Sequence, residues 1–149
     1  MRFRVEVTGY RELAEALAHM GPNAKKRLRP KMIAWGERVL ANAKQLVPVG
    51  EDDPVPGLLR ESGRVVRPTI SLAKQKLVLS VVFGGDPVLR NVRVGHRHSD
   101  NLYALKQHED LTLKHNDGQA KFLERPFMAA APEFPDMILD ALDEAANAG

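Results

Sequence analysis

One long apolar stripe constrains the fold more than any other feature of the sequence. Apolar side chains recur at steps of three and four residues from Leu28 to Leu46, and Pro48 follows them. This spacing places them on one face of an α-helix, which Pro48 is expected to end. Pro30 stands two residues before Met32, so we expect the regular helix to begin there. Trp35 lies on the same face and is predicted to anchor the core. The stripe comprises Leu28, Met32, Trp35, Val39, Ala43 and Leu46.

The segment before the stripe predicts one strand and one short helix. Phe3, Val5 and Val7 alternate with charged residues, which is the period of a strand with one buried face. Apolar residues then recur at helical spacing between Leu13 and Met20. The Gly21-Pro22 pair is expected to end this short helix.

The segment after the stripe predicts a sheet and then a C-terminal helix. Residues 65–70 and 77–83 read as two strands joined by a polar turn, with the alternate apolar residues of the second strand on one face. Helical spacing returns from 126 to 146, and kinks are expected at Pro132 and Pro135. In the strand predicted at 77–83, the alternate apolar residues on one face are Leu77, Leu79, Val81 and Phe83.

Together these elements predict a single α+β domain over residues 1–149. An antiparallel β-sheet is expected to pack against a long central helix, with an N-terminal short helix and a C-terminal helix. A chain of 149 residues buries enough surface to fold without disulfides or metal. It has no cysteine, which excludes thiol catalysis and cysteine zinc sites. No apolar run approaches the ~20 residues of a membrane span, so no membrane partner is predicted.

The most polar and least periodic stretch is predicted to be a long loop at 95–118, which holds four of the five histidines. Imidazole and carboxylate groups are the ligands of hydrolytic metal centres. Their spacing matches no established metal-binding motif, and a loop of solvated histidines is the alternative interpretation. A metal-dependent nuclease therefore stays a remote alternative. Its candidate residues are His96, His98, Asp100, His108 and Glu109.

The net charge of +3 is distributed unevenly. From Pro126 onward the chain has five acidic residues and no Lys or Arg, which gives −5 and leaves +8 for the rest. Five bases crowd residues 25–31, whereas Asp136, Asp140 and Asp143 share one side of the last helix. Such a split predicts nucleic-acid binding, or a subunit whose basic end meets a neighbour's acidic end. No aromatic residue lies between Gly21 and Met32, so single-stranded bases have no stacking platform there.

Short motifs in a fixed order make the chain resemble a known family. The resemblance is to the neck, or tail-completion, proteins of long-tailed bacteriophages, and it covers nearly the whole chain. Two departures are a longer, more acidic stretch at 48–57 and His108-Glu109-Asp110-Leu111 where the family commonly has Glu-Phe-Gly-Thr. The motifs are Thr8-Gly9-Tyr10-Arg11-Glu12-Leu13, Ala43-Lys44-Gln45-Leu46-Val47-Pro48, Gly57-Leu58-Leu59-Arg60-Glu61-Ser62, Tyr103-Ala104-Leu105-Lys106-Gln107-His108-Glu109 and the ten residues from Gly118 to Phe127.

The resemblance implies a structural virion protein rather than an enzyme, with no cofactor. Such a protein forms an oligomeric ring at the head–tail junction, is assembled in the host cytoplasm, and surrounds a channel that DNA passes through. Its implied partners are further copies of itself, head-closure or adaptor proteins, and tail terminator or tail tube proteins. A tail terminator or a head-closure stopper is the alternative within the same class.

Two expectations follow for assembly. The loop at 95–118 is expected to be mobile in the free subunit and ordered in the particle, because it combines low apolar content with no periodicity. The two charged regions are expected to meet between neighbouring subunits rather than within one. The candidate inter-subunit contacts are Lys26, Arg27, Arg29, Tyr103, His108, Glu109, Asp136, Asp140 and Asp143.

Overall fold

A computed structural model describes residues 2–7, 11–49, 57–71, 76–84, 93–94, 97–98, 108–112 and 118–147. Helices and antiparallel strands are both present, which confirms the predicted α+β fold. In chain order the elements are β1 (Arg2–Val7), α1 (Arg11–Leu46), α2 (Leu58–Glu61), β2 (Arg64–Ser71), β3 (Lys76–Val82), β4 (Arg93–Val94), β5 (Arg97–His98), α3 (Glu124–Ala130) and α4 (Glu133–Asn147).

The main sheet has three strands in the order β1-β3-β2, and both pairings are antiparallel. The register of β2 against β3 shifts between Val66 and Thr69, in the stretch that contains Pro68. Proline cannot donate a hydrogen bond to a neighbouring strand, so an irregularity is expected beside it. Strands β4 and β5 form a separate two-stranded antiparallel pair. As predicted, the alternate residues Leu77, Leu79, Val81 and Phe83 are all buried.

The long helix begins much earlier than predicted. Helix α1 runs from Arg11 to Leu46 without a break, so the expected short helix ending at Gly21-Pro22 is not a separate element. Proline removes the hydrogen bond to the carbonyl four residues back. For Pro30 that carbonyl belongs to Lys26, and both residues are exposed, so water can replace the lost partner. Packing of the apolar stripe then outweighs the local cost.

The core lies on both sides of α1. The buried residues of α1, the sheet, α3 and α4 form one contiguous cluster. Trp35 is only 3% exposed, as predicted, and its ring meets Phe127 and Phe134 edge-on, with centroids 5.6 and 4.9 Å away. Leu46, at the end of the stripe, is only partly buried.

The C-terminal helical region is divided at a proline, as the sequence predicts. Helix α3 ends at Ala130 and α4 begins at Glu133, so Pro132 lies between them. Pro135 falls in the first turn of α4, where its missing N–H costs no hydrogen bond. No helix in the described part of the chain is long and apolar enough to cross a bilayer.

Candidate functional site at the end of the long helix

Two later segments of the chain fix the C-terminal end of α1. The last carbonyls of a helix have no partner within the helix. Here the carbonyl of Leu46 accepts the backbone N–H of Gln119 at 2.8 Å. The carbonyl of Val47 accepts a guanidinium N–H of Arg60 at 2.9 Å. The motifs at 43–48, 57–62 and 118–127 are therefore tied together at one place.

Ser62 ties the short helix α2 to the end of β3. Its hydroxyl donates to the carbonyl of Leu59 at 2.6 Å and accepts the backbone N–H of Gly84 at 2.8 Å. Leu59 is buried in the core, and Arg60 on the next position reaches the end of α1. The motif at 57–62 thus connects the helix end with the sheet.

Gly118 allows the chain to pass directly against Pro48. Its φ of +85° lies in the left-handed region, which favours glycine. A Cβ at this position would lie 2.6 Å from the backbone Cα and N of Pro48. The neighbouring hydrogen bond from Gln119 to Leu46 depends on this close approach. Both the conformation and the space therefore require glycine.

His108 is a core residue rather than a loop residue. Its side chain is fully buried, and its ring lies edge-on to Phe122 with centroids 5.0 Å apart. Nε2 accepts the backbone N–H of Glu124 at 3.2 Å, so Nδ1 carries the proton and donates to Glu109 Oε1 at 2.6 Å. The side chain is therefore buried within its own subunit, and both ring nitrogens form hydrogen bonds there. This corrects the expectations that His108 is solvated and that it contacts a neighbouring subunit.

Lys121 connects two carboxylates beside the histidine. Its ammonium group binds Oε2 of Glu109 and lies 2.9 Å from Oε2 of Glu124. These bonds lower the pKa of Glu109 and raise that of Lys121, because each group is stabilised in its charged form. The backbone of Lys121 is left-handed, with φ of +57°, and its N–H binds the carbonyl of His108 at 2.7 Å. The motif ending at 109 is thereby joined to the motif beginning at 118.

The same cluster offers donor atoms for a metal ion. One atom each from His108, Glu109 and Glu124 lie within 4.8 Å of one another. However, the Lys121 ammonium already bridges the two carboxylates, and Nε2 of His108 already accepts a backbone N–H. A metal ion here would have to displace the Lys121 ammonium from the carboxylates and the backbone N–H of Glu124 from the imidazole.

The nuclease set proposed from the sequence is not assembled by the described residues. His96, Asp100 and the side chain of His98 lie outside the described residues, so that set stays a prediction from the sequence. His108 and Glu109 do lie side by side and share a hydrogen bond. However, His108 also accepts the backbone N–H of Glu124 at the start of α3, and Glu109 binds Lys121. The geometry therefore supports a structural role for these two residues.

The buried histidine predicts a specific pH dependence of stability. Burial lowers the pKa of His108 below its ordinary value of 6.5, because it penalises the charged imidazolium. The unfolded chain then binds this proton more readily, so the free energy of unfolding falls as pH drops below 6.5. One proton contributes at most about 1.4 kcal/mol per pH unit. We expect His108→Gln to remove this slope in urea unfolding measured from about pH 7.5 to about pH 5.5.

An exposed histidine provides the control for this experiment. His19 lies on the exposed surface of α1, so His19→Gln is expected to leave the slope as in the wild type. If His108→Gln and His19→Gln unfold with the same pH dependence as the wild type, the neutral buried histidine is contradicted.

The charged residues of α1 and α4 partly pair within the subunit. Lys31 and Glu144 approach to 3.3 Å, and Arg38 contacts Glu133, so the two helices run antiparallel. Lys31 belongs to the basic cluster at 25–31. One residue of that cluster therefore pairs within its own subunit, with a carboxylate outside the set Asp136, Asp140 and Asp143. The expected contact between neighbouring subunits stays a prediction.

The other predicted contacts lie at different places on the surface. Lys26, Arg27 and the carboxylates Asp136, Asp140 and Asp143 are exposed, and Arg29 is half-buried. Glu109 is exposed beside the buried His108. Tyr103 lies outside the described residues.

Sequence reasoning missed the residues that hold the helix end together. Arg60, Gln119 and Lys121 were part of motifs but had no assigned role. Arg60 binds a carbonyl 13 residues away and Lys121 binds a carboxylate 12 residues away, and no local pattern encodes such contacts. Gly118 carried a usable signal, because a glycine between polar residues marks a turn.

Comparisons with known proteins add no family to this picture. No protein-family model matches the chain, and neither the curated proteins nor the solved structures give a match. The resemblance to phage neck proteins stays a prediction from the sequence motifs.

Proposed function

We propose that this chain is a structural subunit of a phage head–tail junction. Copies of it form an oligomeric ring that joins the head-closure complex to the tail. It has no catalytic role, and DNA passes through the channel that the ring surrounds. A tail terminator or a head-closure stopper is the alternative position in the same junction.

One observation carries the proposal: three of the motifs behind the resemblance meet at the end of α1, and the last two residues of a fourth, His108 and Glu109, bind the segment 118–127. Residues 43–48, 57–62, 108–109 and 118–127 are joined by backbone and side-chain hydrogen bonds. Motifs scattered by chance along a chain have no reason to converge in space. A subunit that must resist force also benefits from having its longest helix tied at its end.

The chemistry of the cluster supports a structural rather than a catalytic role. A general base needs a free nitrogen or oxygen within reach of a substrate. The buried His108 instead uses Nε2 to hold the first turn of α3 and Nδ1 to orient Glu109. These are positioning contacts inside the fold.

Mass measurement of the purified chain, alone and with its partners, tests the proposal. We expect a single oligomeric mass that binds both the head-closure proteins and a tail protein from the same genome. Binding to the tail tube alone would favour a tail terminator, and binding to the portal complex alone would favour a stopper. A chain that stays monomeric and enters no particle would contradict all three positions.

A further inference from the structure

A groove runs between α1 and α4 on the surface of the subunit. Its volume is about 500 Å³, which lies within the range of sites that hold ligands in proteins. Its apolar lining consists of Ala34, Trp35 and Met137. Trp35 is buried, whereas Met137 is only partly buried against the core. We call this space the interhelix groove.

The cations of the interhelix groove are already paired within the subunit. Lys31 and Arg38 line the groove from α1. Lys31 binds Glu144 of α4, and Arg38 binds Glu133 of the same helix. Because carboxylates of the same subunit neutralise both cations, neither is free to bind the anion of a ligand.

Two carboxylates of α4 line the groove without such a partner. Asp136 and Asp140 are exposed and form no ion pair with any described residue. They stand four residues apart and are therefore neighbours on one side of the helix, where like charges destabilise each other. A cation bound between them removes that repulsion.

Trp35 adds a buried donor without a partner. Its side chain is 3% exposed, and its Nε1 has no hydrogen-bond partner among the described residues. An indole N–H can only donate, and an unpaired buried donor destabilises the protein that carries it. A ligand that brings an acceptor oxygen into the groove therefore gains free energy by pairing this N–H. Met137 lines the same groove, and its flexible side chain can turn aside to admit the oxygen.

We infer that the interhelix groove binds an arginine residue in a segment of a partner protein. The guanidinium group lies between Asp136 and Asp140, and the methylene groups of its side chain cover the apolar lining. A backbone carbonyl oxygen of the same segment accepts the N–H of Trp35. The inference goes beyond the proposed function and does not depend on it, because one folded subunit contains the whole site.

The charges and donors of the groove favour arginine over other ligands. A guanidinium group is planar and has five N–H donors, so it can bind two carboxylates at once, whereas a lysine ammonium acts as a point charge. A phosphate or a nucleic acid would meet the unpaired carboxylates, since both cations of the groove are already paired. A metal ion would leave the indole N–H unpaired, because a metal offers no acceptor.

The indole N–H of the chain's single tryptophan reports directly on the groove. It gives one cross-peak in a nitrogen–proton NMR correlation spectrum. N-acetylarginine N-methylamide, a capped arginine with a carbonyl on each side, should shift this cross-peak and saturate at about 1–20 mM, as expected for exposed ion pairs. N-acetylcitrulline N-methylamide has nearly the same shape without the charge, and it should bind at least about tenfold more weakly.

Two further probes separate the contacts and the source of the ligand. Agmatine keeps the guanidinium group but has no carbonyl, so it should bind without the downfield shift of the indole N–H. An equal shift with agmatine would contradict the carbonyl contact. Binding of free arginine, with none of the capped form, would identify a free amino acid as the ligand and would contradict a protein segment.

Matched substitutions in α4 separate the groove from net charge. Asp140→Asn and Asp143→Asn each remove one negative charge from α4, but of these two residues only Asp140 lines the groove. We expect Asp140→Asn to weaken binding of capped arginine about threefold, and Asp136→Asn with Asp140→Asn to weaken it about tenfold. Asp143→Asn should leave binding unchanged. Trp35→Phe removes only the N–H donor, and ligand-observed NMR should show binding weakened about threefold.

The outcomes for the groove are separate from those for the proposed function. A dispersed spectrum shows that each variant is folded, so a change in binding belongs to the groove. The site is overturned by a cross-peak that stays unmoved up to about 20 mM capped arginine, by equal binding of the citrulline form, or by equal losses for Asp140→Asn and Asp143→Asn. None of these results affects ring formation, and a chain that forms no ring can still bind arginine.

Discussion

Replacing Trp35 with alanine is expected to prevent soluble folding of the chain. The side chain is almost fully buried and packs against Phe127 of α3 and Phe134 of α4. Truncating a buried Trp costs about 3–5 kcal/mol, and a domain is stable by only about 5–15 kcal/mol. The loss also removes the aromatic contact that holds both C-terminal helices against α1. The amount of soluble protein after expression and its urea unfolding midpoint measure the effect.

Two variants make this experiment interpretable. Trp35→Phe keeps an aromatic ring, and Nε1 of Trp35 has no hydrogen-bond partner among the described residues, so only packing changes. It should cost less than Trp35→Ala. Leu139→Ala on the exposed side of α4 should cost little. A Trp35→Ala protein as stable as the wild type would show that the ring does not anchor the core.

Replacing Gly118 with alanine is expected to destabilise the contact between residues 118–119 and the C-terminal end of α1. The new Cβ would lie 2.6 Å from backbone atoms of Pro48, which cannot move aside as a flexible side chain can. Left-handed backbone at a residue other than glycine adds about 1–2 kcal/mol. Overpacking typically costs about 1–3 kcal/mol, so we expect a total loss of roughly 2–5 kcal/mol. Thermal and urea unfolding measure it.

Gly57 separates the two causes. Its φ of +81° is nearly the same as that of Gly118, but no described atom lies within 4 Å of a Cβ at Gly57. Gly57→Ala should therefore show the backbone cost alone. Equal losses for the two variants would mean that the close approach to Pro48 contributes nothing to stability.

The sequence predicted the core of α1 well but misplaced the start of that helix. Leu28, Met32, Trp35 and Val39 are buried because their spacing alone decides which face packs. Pro22 and Pro30 were expected to bound helices, since proline is a local signal against helix. Helix α1 continues through both prolines, because packing along the whole helix outweighs a lost hydrogen bond on an exposed turn.

The candidate site was less predictable than the fold. His108 was expected in a polar loop, since histidine among polar neighbours usually contacts solvent. Its burial depends on Phe122 and on the N–H of Glu124, which lies 16 residues later. The motif segments could be found by resemblance, but their meeting at the end of α1 arises from tertiary contacts such as Arg60 to Val47.

Imaging of the intact particle tests the proposed function most directly. The chain, labelled at its C-terminus, would be located in an averaged cryo-electron micrograph reconstruction of the head–tail junction. We predict a closed ring of this chain between the head-closure complex and the tail. Particles that are complete without the chain, or a label anywhere other than the junction, would contradict a neck role.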